Sequence, residues 1–150
     1  MLTNEVKILK KMSCQNIIKL HEVYENGDEI CIIMEYVDGK RLFDHVVKSG
    51  KISEEETAVI IKQLFLTLSY LESEAIIHRD IKPENLIFTT NSRNKTTLKL
   101  IDFGLATDHL KRDIIKKCGT AGYTAPEILL NEQYDFKADL YSAGIVMYIW

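Results

Sequence analysis

Three short groups of residues in this chain could do chemistry together. They occupy residues 78–85 (HRDIKPEN), 102–104 (DFG) and 125–127 (APE). The first two groups supply carboxylates and a carboxamide, and the first also supplies a lysine. Each group alone is short enough to occur by chance, but the three in this order and at these spacings form a strong pattern. We therefore interpret them as parts of one site.

The residue types in these groups fit the transfer of a phosphoryl group from ATP. Such a transfer needs metal ions on the phosphates, a positioned hydroxyl and compensation of developing negative charge. Asp80 and Asp102 could divide the first two tasks, and Asn85 adds a hard oxygen ligand of the kind Mg²⁺ prefers. Lys82 is a cation suited to a transferring phosphoryl group. Either aspartate taken singly could equally be an ordinary turn residue, whereas the ordered set favours catalysis.

The first part of the chain predicts a helix followed by a hairpin. Two apolar runs, residues 17–24 and 30–37, flank Asn26-Gly27, and this dipeptide tolerates the positive φ angles of a tight hairpin turn. The preceding residues predict an amphipathic helix because apolar side chains recur at helical spacing. These side chains belong to Leu2, Val6, Leu9 and Met12.

The rest of the chain predicts helices that flank short strands. Ser53 and Glu56 form a capping box, which begins a long helix. Short strands are predicted at residues 76–77, 86–88 and 98–101, a polar loop at 89–97, and an apolar, buried helix at 137–150. This order indicates the α+β class rather than a βαβ alternation. The apolar face of the long helix carries Ile61, Leu64, Leu68 and Leu71.

Composition narrows the class of protein. A net charge of −3 in 150 residues argues against a nucleic-acid-binding protein. The longest apolar run, residues 143–150, is too short for a bilayer span of about 20 residues. The charged start does not resemble a secretory signal, and three scattered cysteines suggest neither disulfides nor a zinc site. We expect a cytoplasmic protein without nucleic-acid or membrane partners.

With its three motifs the chain resembles the eukaryotic protein kinases over essentially its whole length. The resemblance implies a partial two-lobe kinase fold of class α+β. Residues 1–37 would be the end of the N-lobe, from helix C to the hinge, and residues 38–150 the C-lobe up to helix F. Residues 102–127 would be the activation segment. Lysine at position 82 is typical of the serine/threonine type, so the implied activity is transfer of the ATP γ-phosphate to serine or threonine of protein substrates.

The resemblance also assigns roles to individual residues. It implies that Asp80 is the catalytic base, and that Asn85 and Asp102 bind Mg²⁺. Glu5 would pair with an ATP-contacting lysine, although an exposed helix glutamate is an equal alternative. An apolar stack joining the lobes, anchored by Asp139, would contain Leu9, Leu20, His78 and Phe103. The predicted catalytic residues are Asp80, Lys82, Asn85 and Asp102, and those predicted to bind ATP are Glu5, Met34 (gatekeeper), Glu35 and Val37 (hinge), Leu86 (adenine floor) and Asp102.

Within the family, the chain is most similar to the calcium/calmodulin-dependent group, which includes the calcium-dependent kinases. The similarity lies in residues 16–20 (NIIKL), 83–88 (PENLIF), 118–123 (CGTAGY) and the polar loop before Asp102. It implies regulation by calcium or calmodulin through regions outside this chain. Arg41 departs from the acidic residue of relatives and puts a basic-substrate preference in doubt, although Glu84 remains. Lys116 stands where relatives carry a phosphorylated threonine, so our hypothesis is that activity needs no phosphate there.

The sequence contains neither the glycine-rich loop nor the strand lysine with which the family holds ATP. We therefore expect an incomplete domain, and a 150-residue polypeptide that is poorly stable and nearly inactive on its own. The alternative to an enzyme is a non-catalytic binding module, either a pseudokinase or a natural truncation. Pseudokinases usually lack one of the catalytic residues, all of which are intact here, so the sequence favours the enzyme.

Overall fold

The chain begins with a helix and an antiparallel hairpin. The structure, a computed structural model, describes residues 4–27, 29–44, 53–90, 96–110 and 117–149. Helix α1 (Asn4–Leu9) buries Val6, Ile8 and Leu9. Strands β1 (Leu20–Asn26) and β2 (Glu29–Met34) pair in antiparallel register. Gly27 has a φ of +61°, which glycine adopts without steric cost, so the predicted hairpin is confirmed.

The long helix α2 (Glu54–Ser73) starts where the sequence predicts. The Ser53 side chain accepts a hydrogen bond from the Glu56 amide at 3.2 Å, which satisfies one of the free N–H groups of the first turn. The predicted apolar face is confirmed, because all four of its residues are buried. This face packs against strand β6 and helix α4, both described below.

A small sheet carries the motif residues. It has the order β3 (Lys40–Arg41), β5 (Leu86–Thr90), β6 (Thr96–Leu100), and both pairings are antiparallel. Strand β4 (Ile76–Ile77) pairs separately with β7 (Thr107–Asp108), and a 3₁₀ turn spans Pro83–Asn85. The predicted loop at 89–97 is wrong at both ends, because Thr89 pairs with Thr97 and Thr90 with Thr96. Threonine is β-branched and favours strands, and this preference outweighs its polarity; residues 91–95 lie outside the described part of the chain.

Two helices close the described chain, α3 (Pro126–Leu129) and α4 (Lys137–Tyr148). Helix α4 buries one face, which includes Asp139 and Val146, and packs it against α2. Its opposite face exposes large apolar side chains, among them Met147 and Tyr148. None of the helices in the described ranges is both long and apolar enough to cross a bilayer.

The outer edge of β6 is covered by the segment between α1 and β1. The backbone of Ile17 forms a parallel bridge with Leu100. The Gln63 side chain of α2 accepts hydrogen bonds from Asn16 Nδ2 at 2.9 Å and from the Leu98 amide at 3.0 Å. Its own amide nitrogen donates to Thr96 O at 3.1 Å. One glutamine therefore joins helix, sheet edge and the N-terminal segment.

We predict that Gln63→Ala destabilises the protein that contains this chain by about 2 kcal/mol, because several hydrogen bonds are lost and the Leu98 amide loses its acceptor. Urea denaturation measures the change. The matched control is Gln15→Ala, since Gln15 is exposed and a surface change of this kind is worth about 0.5 kcal/mol or less. Equal denaturation midpoints for the two variants would contradict the structural role of Gln63.

Candidate active site

The loop between β4 and β5 is held by a buried carboxylate of helix α4. Asp139 accepts hydrogen bonds from the backbone amides of His78 at 2.7 Å and Arg79 at 2.8 Å. Arg79 has a φ of +68°, an unfavourable conformation for a residue with a side chain. Burial raises the pKa of Asp139 to about 6, although the two amides and the Arg79 charge favour its ionised form. The carboxylate fixes the backbone just before Asp80.

His78 links this loop to the Asp102-Phe103-Gly104 group. Its ring is fully buried and packs edge-on against Phe103, with ring centroids 4.8 Å apart. Nδ1 accepts from the Asp80 amide at 3.3 Å, and Nε2 lies 3.4 Å from Ile101 O, so the network assigns the proton to Nε2. Burial lowers the pKa of His78 to about 4 despite the nearby Asp80 charge. Leu9 and Leu20, predicted in the same stack, lie in the apolar cluster that contains Phe103.

The Asp80 carboxylate is buried and has a partner on each oxygen. Oδ1 accepts from the Thr120 hydroxyl at 2.6 Å, and Oδ2 pairs with Lys82 Nζ at 2.8 Å. Asn85 Nδ2 also donates to Oδ2 at 3.1 Å. Burial opposes ionisation, but the hydrogen bonds from Lys82 and Thr120 outweigh it, so the pKa of Asp80 is lowered. An ionised carboxylate held in this way can orient a hydroxyl group and accept its proton.

Thr120 is a member of this site that the sequence analysis did not include. Lys82 Nζ donates to its hydroxyl oxygen at 2.8 Å, and that hydroxyl donates to Asp80. The threonine therefore bridges the two charged groups. Its place directly after Cys118-Gly119 indicates only a likeness to relatives. Nothing in the local sequence indicates that it would meet a loop 40 positions earlier.

Asn85 and Asp102 lie at the same end of the β5–β6 hairpin. Asn85 directly precedes β5, Leu86 pairs with Leu100, and the Ile101 amide donates to Asn85 O at 3.0 Å. Asn85 directs its amide nitrogen at Asp80, so its amide oxygen is the atom that can serve a cation. The exposed Asp102 has a φ of +62° and accepts from the Gly104 amide at 3.1 Å.

The donor atoms at this end of the hairpin suit Mg²⁺, which binds hard oxygens and takes several ligands from water and phosphates. Within the described ranges, no three His, Cys, Asp or Glu side chains are grouped closely enough to hold a metal ion. An ion at this hairpin end would therefore be held by Asn85 and Asp102 together with oxygens of a bound nucleotide or water.

Glu5 of α1 lies against the Asp102-Phe103 segment. Burial raises its pKa, and the Asp102 carboxylate raises it further, while a hydrogen bond from the Phe103 amide acts in the opposite direction. The side chain is only partly accessible. Glu5 is therefore not a fully exposed helix glutamate, and it connects helix α1 to the Asp102 loop; its pairing with an ATP-contacting lysine stays a prediction.

The predicted hinge follows β2 and is fastened to β6. Met34 is the last residue of β2 and is 41% exposed. The Glu35 carboxylate pairs with Lys99 Nζ at 2.8 Å, and its backbone amide donates to Lys19 O at 2.8 Å. Val37 is half-buried, and Leu86, the predicted adenine floor, is fully buried at the start of β5. Lys116, which stands where relatives carry a phosphorylated threonine, lies outside the described residues.

The structure thus brings the Asp80 loop, with its lysine and asparagine, close to the Asp102 loop, and it brings Asp102 close to the glutamate of α1. The chain belongs to the protein kinase family, because the protein kinase domain matches residues 1–150. Both the predicted family and the predicted α+β kinase-like fold are confirmed.

Three relatives illustrate the position of the chain within the family. It is 46% identical to serine/threonine-protein kinase DCLK3 of Homo sapiens over 149 residues, which are 99% of this chain and 23% of the relative. Calcium-dependent protein kinase 5 of Plasmodium berghei is 44% identical, over 99% of the chain and 26% of the relative. Calcium/calmodulin-dependent protein kinase type IV of Homo sapiens is 42% identical, over 97% of the chain and 31% of the relative. The predicted likeness to the calcium/calmodulin-dependent group is confirmed, and the chain spans about a quarter to a third of these relatives.

The two buried titrating groups give a prediction for the pH dependence of stability. The pKa of His78 falls from 6.5 to about 4 on folding. Between these two pH values the unfolded chain therefore binds more protons than the folded chain, and His78 destabilises the protein as the pH falls. The pKa of Asp139 rises from 3.8 to about 6 on folding. Between these two pH values the folded chain binds more protons than the unfolded chain, so Asp139 stabilises the protein as the pH falls. The two effects offset each other in the wild type.

His78→Phe isolates one of these effects. We expect the stability advantage of the wild type over this variant to shrink by about 2 kcal/mol between pH 7 and pH 5, measured by urea denaturation at both pH values. Phe103→Leu is the control, because it alters the same stack without removing a titrating group, and its stability difference from the wild type should be the same at both pH values. A constant difference for His78→Phe as well would show that His78 is not buried in its neutral form.

Proposed function

We propose that the protein containing this chain is a serine/threonine protein kinase that transfers the γ-phosphate of ATP to serine or threonine hydroxyls of protein substrates. The observation that carries the proposal is the ionised Asp80 carboxylate, held between Lys82, Asn85 and Thr120. The hairpin that brings Asn85 beside the Asp102 loop supports it, and so do relatives named as serine/threonine kinases.

In this mechanism Asp80 orients the acceptor hydroxyl and takes its proton as the oxygen forms a bond to the γ-phosphorus. The bond from that phosphorus to the bridging oxygen breaks, and ADP leaves. Lys82 lies beside Asp80, where its charge offsets the negative charge on the transferring group. Asn85 and Asp102 would hold Mg²⁺, which when bound would neutralise phosphate charge.

On the nucleotide side, the backbone at Glu35 and Val37 meets the adenine behind the gatekeeper Met34, and Leu86 forms the floor beneath it. Glu5 serves the same side by pairing with the lysine that contacts ATP. The Glu35 carboxylate is paired with Lys99 and its amide with Lys19 O, so its backbone carbonyl oxygen is the group available to the base. These roles follow from the family to which the chain belongs.

Asp80→Asn tests the proposal. We expect kcat to fall by about 10²–10⁴-fold, because the amide cannot accept the hydroxyl proton, while ATP binding stays within about twofold. Phosphotransfer to a serine peptide and equilibrium ATP binding measure the two effects. Asp108→Asn is the matched control, since Asp108 accepts a hydrogen bond from the Leu110 amide and the asparagine keeps an accepting oxygen.

Retained phosphotransfer by Asp80→Asn would remove Asp80 as the base. A wild-type protein that transfers no phosphate would instead favour the non-catalytic binding module.

Because two relatives are named for calcium or calmodulin dependence, we propose the same regulation here. The wild-type assay with calcium–calmodulin and with a calcium chelator tests this regulation.

We further propose that Glu84 receives a basic residue of the substrate. One of its carboxylate oxygens, Oε2, is buried and has no hydrogen-bond partner among the described residues. Glu84 is next to Asn85 in the 3₁₀ turn, and its charge contributes to the raised pKa of Tyr123, which is mainly due to burial. A buried oxygen without a partner is costly, and a substrate arginine or lysine would supply the missing donor.

Glu84→Gln should lower kcat/KM about tenfold for a peptide with arginine before the acceptor, which corresponds to about 1.4 kcal/mol. The same variant should leave an alanine-substituted peptide unaffected, so the ratio of the two peptides is the measurement. Arg41→Gln is the comparison, because Arg41 is exposed on β3, which contacts the same turn. If the preference of the wild type is for acidic peptides and depends on Arg41, the role of Glu84 is refuted.

A further inference from the structure

The side chain of Arg79 connects three parts of the chain. Its Nε donates to Leu105 O at 2.7 Å, and Nη1 donates to the Tyr134 hydroxyl at 3.0 Å. Leu105 directly follows the Asp102-Phe103-Gly104 group, and Tyr134 lies between α3 and α4. One guanidinium therefore joins the Asp80 loop, the start of the activation segment (residues 102–127) and the last two helices.

The end of the activation segment reaches the same arginine. Gly119 has a φ of +102°, and a Cβ at this position would lie 2.9 Å from Arg79 O and 2.8 Å from Thr124 Oγ1. The backbone therefore approaches the arginine as closely as only glycine allows. On one side of Gly119, Cys118 Sγ lies 3.8 Å from the Tyr134 hydroxyl. On the other side, Thr120 donates to Asp80.

Tyr134 is itself rigidly held. The residue is 6% exposed and packs in a small apolar cluster with Ile77, Ala125 and Ile128. Burial raises the pKa of its hydroxyl, and the Arg79 charge only partly opposes this. A phenol that keeps its proton can accept a hydrogen bond from arginine and donate one to a sulfur atom at the same time. The hydroxyl is therefore suited to bridge Arg79 and Cys118.

We propose that Tyr134 is a positioning residue for phosphoryl transfer: its hydroxyl holds both the Arg79 guanidinium and Cys118, and it thereby keeps residues 117–124, which carry Thr120, beside Asp80, so that activity does not require a phosphate group on this segment. The proposal rests on the kinase function proposed above. It supplies a physical basis for the hypothesis, drawn from Lys116, that activity needs no phosphate at that position.

Tyr134→Phe in the full-length protein removes one oxygen atom and keeps the ring in its cluster. We expect kcat/KM for a serine peptide to fall about tenfold, the scale of one lost hydrogen bond to a charged group. The KM for ATP should stay within about twofold, because Tyr134 acts on the side of the site that receives the peptide. Tyr141→Phe is the matched control, since Tyr141 is 42% exposed on α4.

Hydrogen exchange of both variants separates positioning from general stability. Faster exchange confined to residues 117–124 and the Asp80 loop in Tyr134→Phe, with a melting temperature close to that of Tyr141→Phe, supports the proposal. Faster exchange throughout the domain together with a lower melting temperature means that the hydroxyl only stabilises the fold, and this overturns it. Unchanged kinetics and exchange also overturn it.

Phosphatase treatment of the wild type adds an independent outcome. Activity that survives the treatment supports the proposal. The proposal is overturned if the treatment abolishes activity and Tyr134→Phe is as active as the wild type without treatment. A wild-type protein that transfers no phosphate under any condition refutes the kinase function instead. In that case the exchange comparison alone decides whether Tyr134 positions the segment.

Discussion

The buried carboxylate of Asp139 is the constraint on which the site depends. Two consecutive backbone amides, those of His78 and Arg79, point at it, and the second of these residues adopts a positive φ angle. That conformation costs about 1–2 kcal/mol for a residue with a Cβ atom. Hydrogen bonds to a charged group, worth roughly 1.5–3 kcal/mol each, are large enough to offset it. The next residue in the chain is Asp80, so its backbone is placed by an interaction in which Asp80 takes no part.

The parts of the site are in turn fixed by elements outside the Asp80 loop. Helix α4 fixes the backbone at residues 78–79, the β5–β6 hairpin fixes Asn85 relative to the Asp102 loop, and the segment of residues 117–124 brings Thr120 to Asp80. Loops are the usual place for catalytic residues because a rigid scaffold can aim them. Here the aiming is done by hydrogen bonds to buried groups, which leave little freedom to the Asp80 carboxylate.

Features that depend on near neighbours in sequence were predictable. The cap at Ser53 and the turn at Gly27 follow from rules that span a few residues, and the three motifs identified the Asp80 loop and the Asp102 loop. The strand residues 89–90 and 96–97 are wrongly predicted as loop, because the prediction gives their polarity more weight than the strand preference of threonine. Thr120, Gln63 and Tyr134 were not predictable, since their partners lie 40, 35 and 55 positions away. A polar side chain indicates that it needs a partner when buried, but not which one.

The β5–β6 hairpin separates two properties that are usually coupled, the length of a connection and the geometry at its ends. The relative placement of Asn85 and Asp102 is set by the pairing of Leu86 with Leu100 and by one further backbone bond, both at the end of the hairpin opposite Thr90 and Thr96. A shift of register by one residue would turn every side chain of β6 to the opposite face. The number of residues between Thr90 and Thr96 has no such effect, because closing a longer loop costs only about 0.6 kcal/mol for each doubling of its length. Related sequences can therefore diverge in length between these two strands while the spacing of the residues that correspond to Asn85 and Asp102 stays the same.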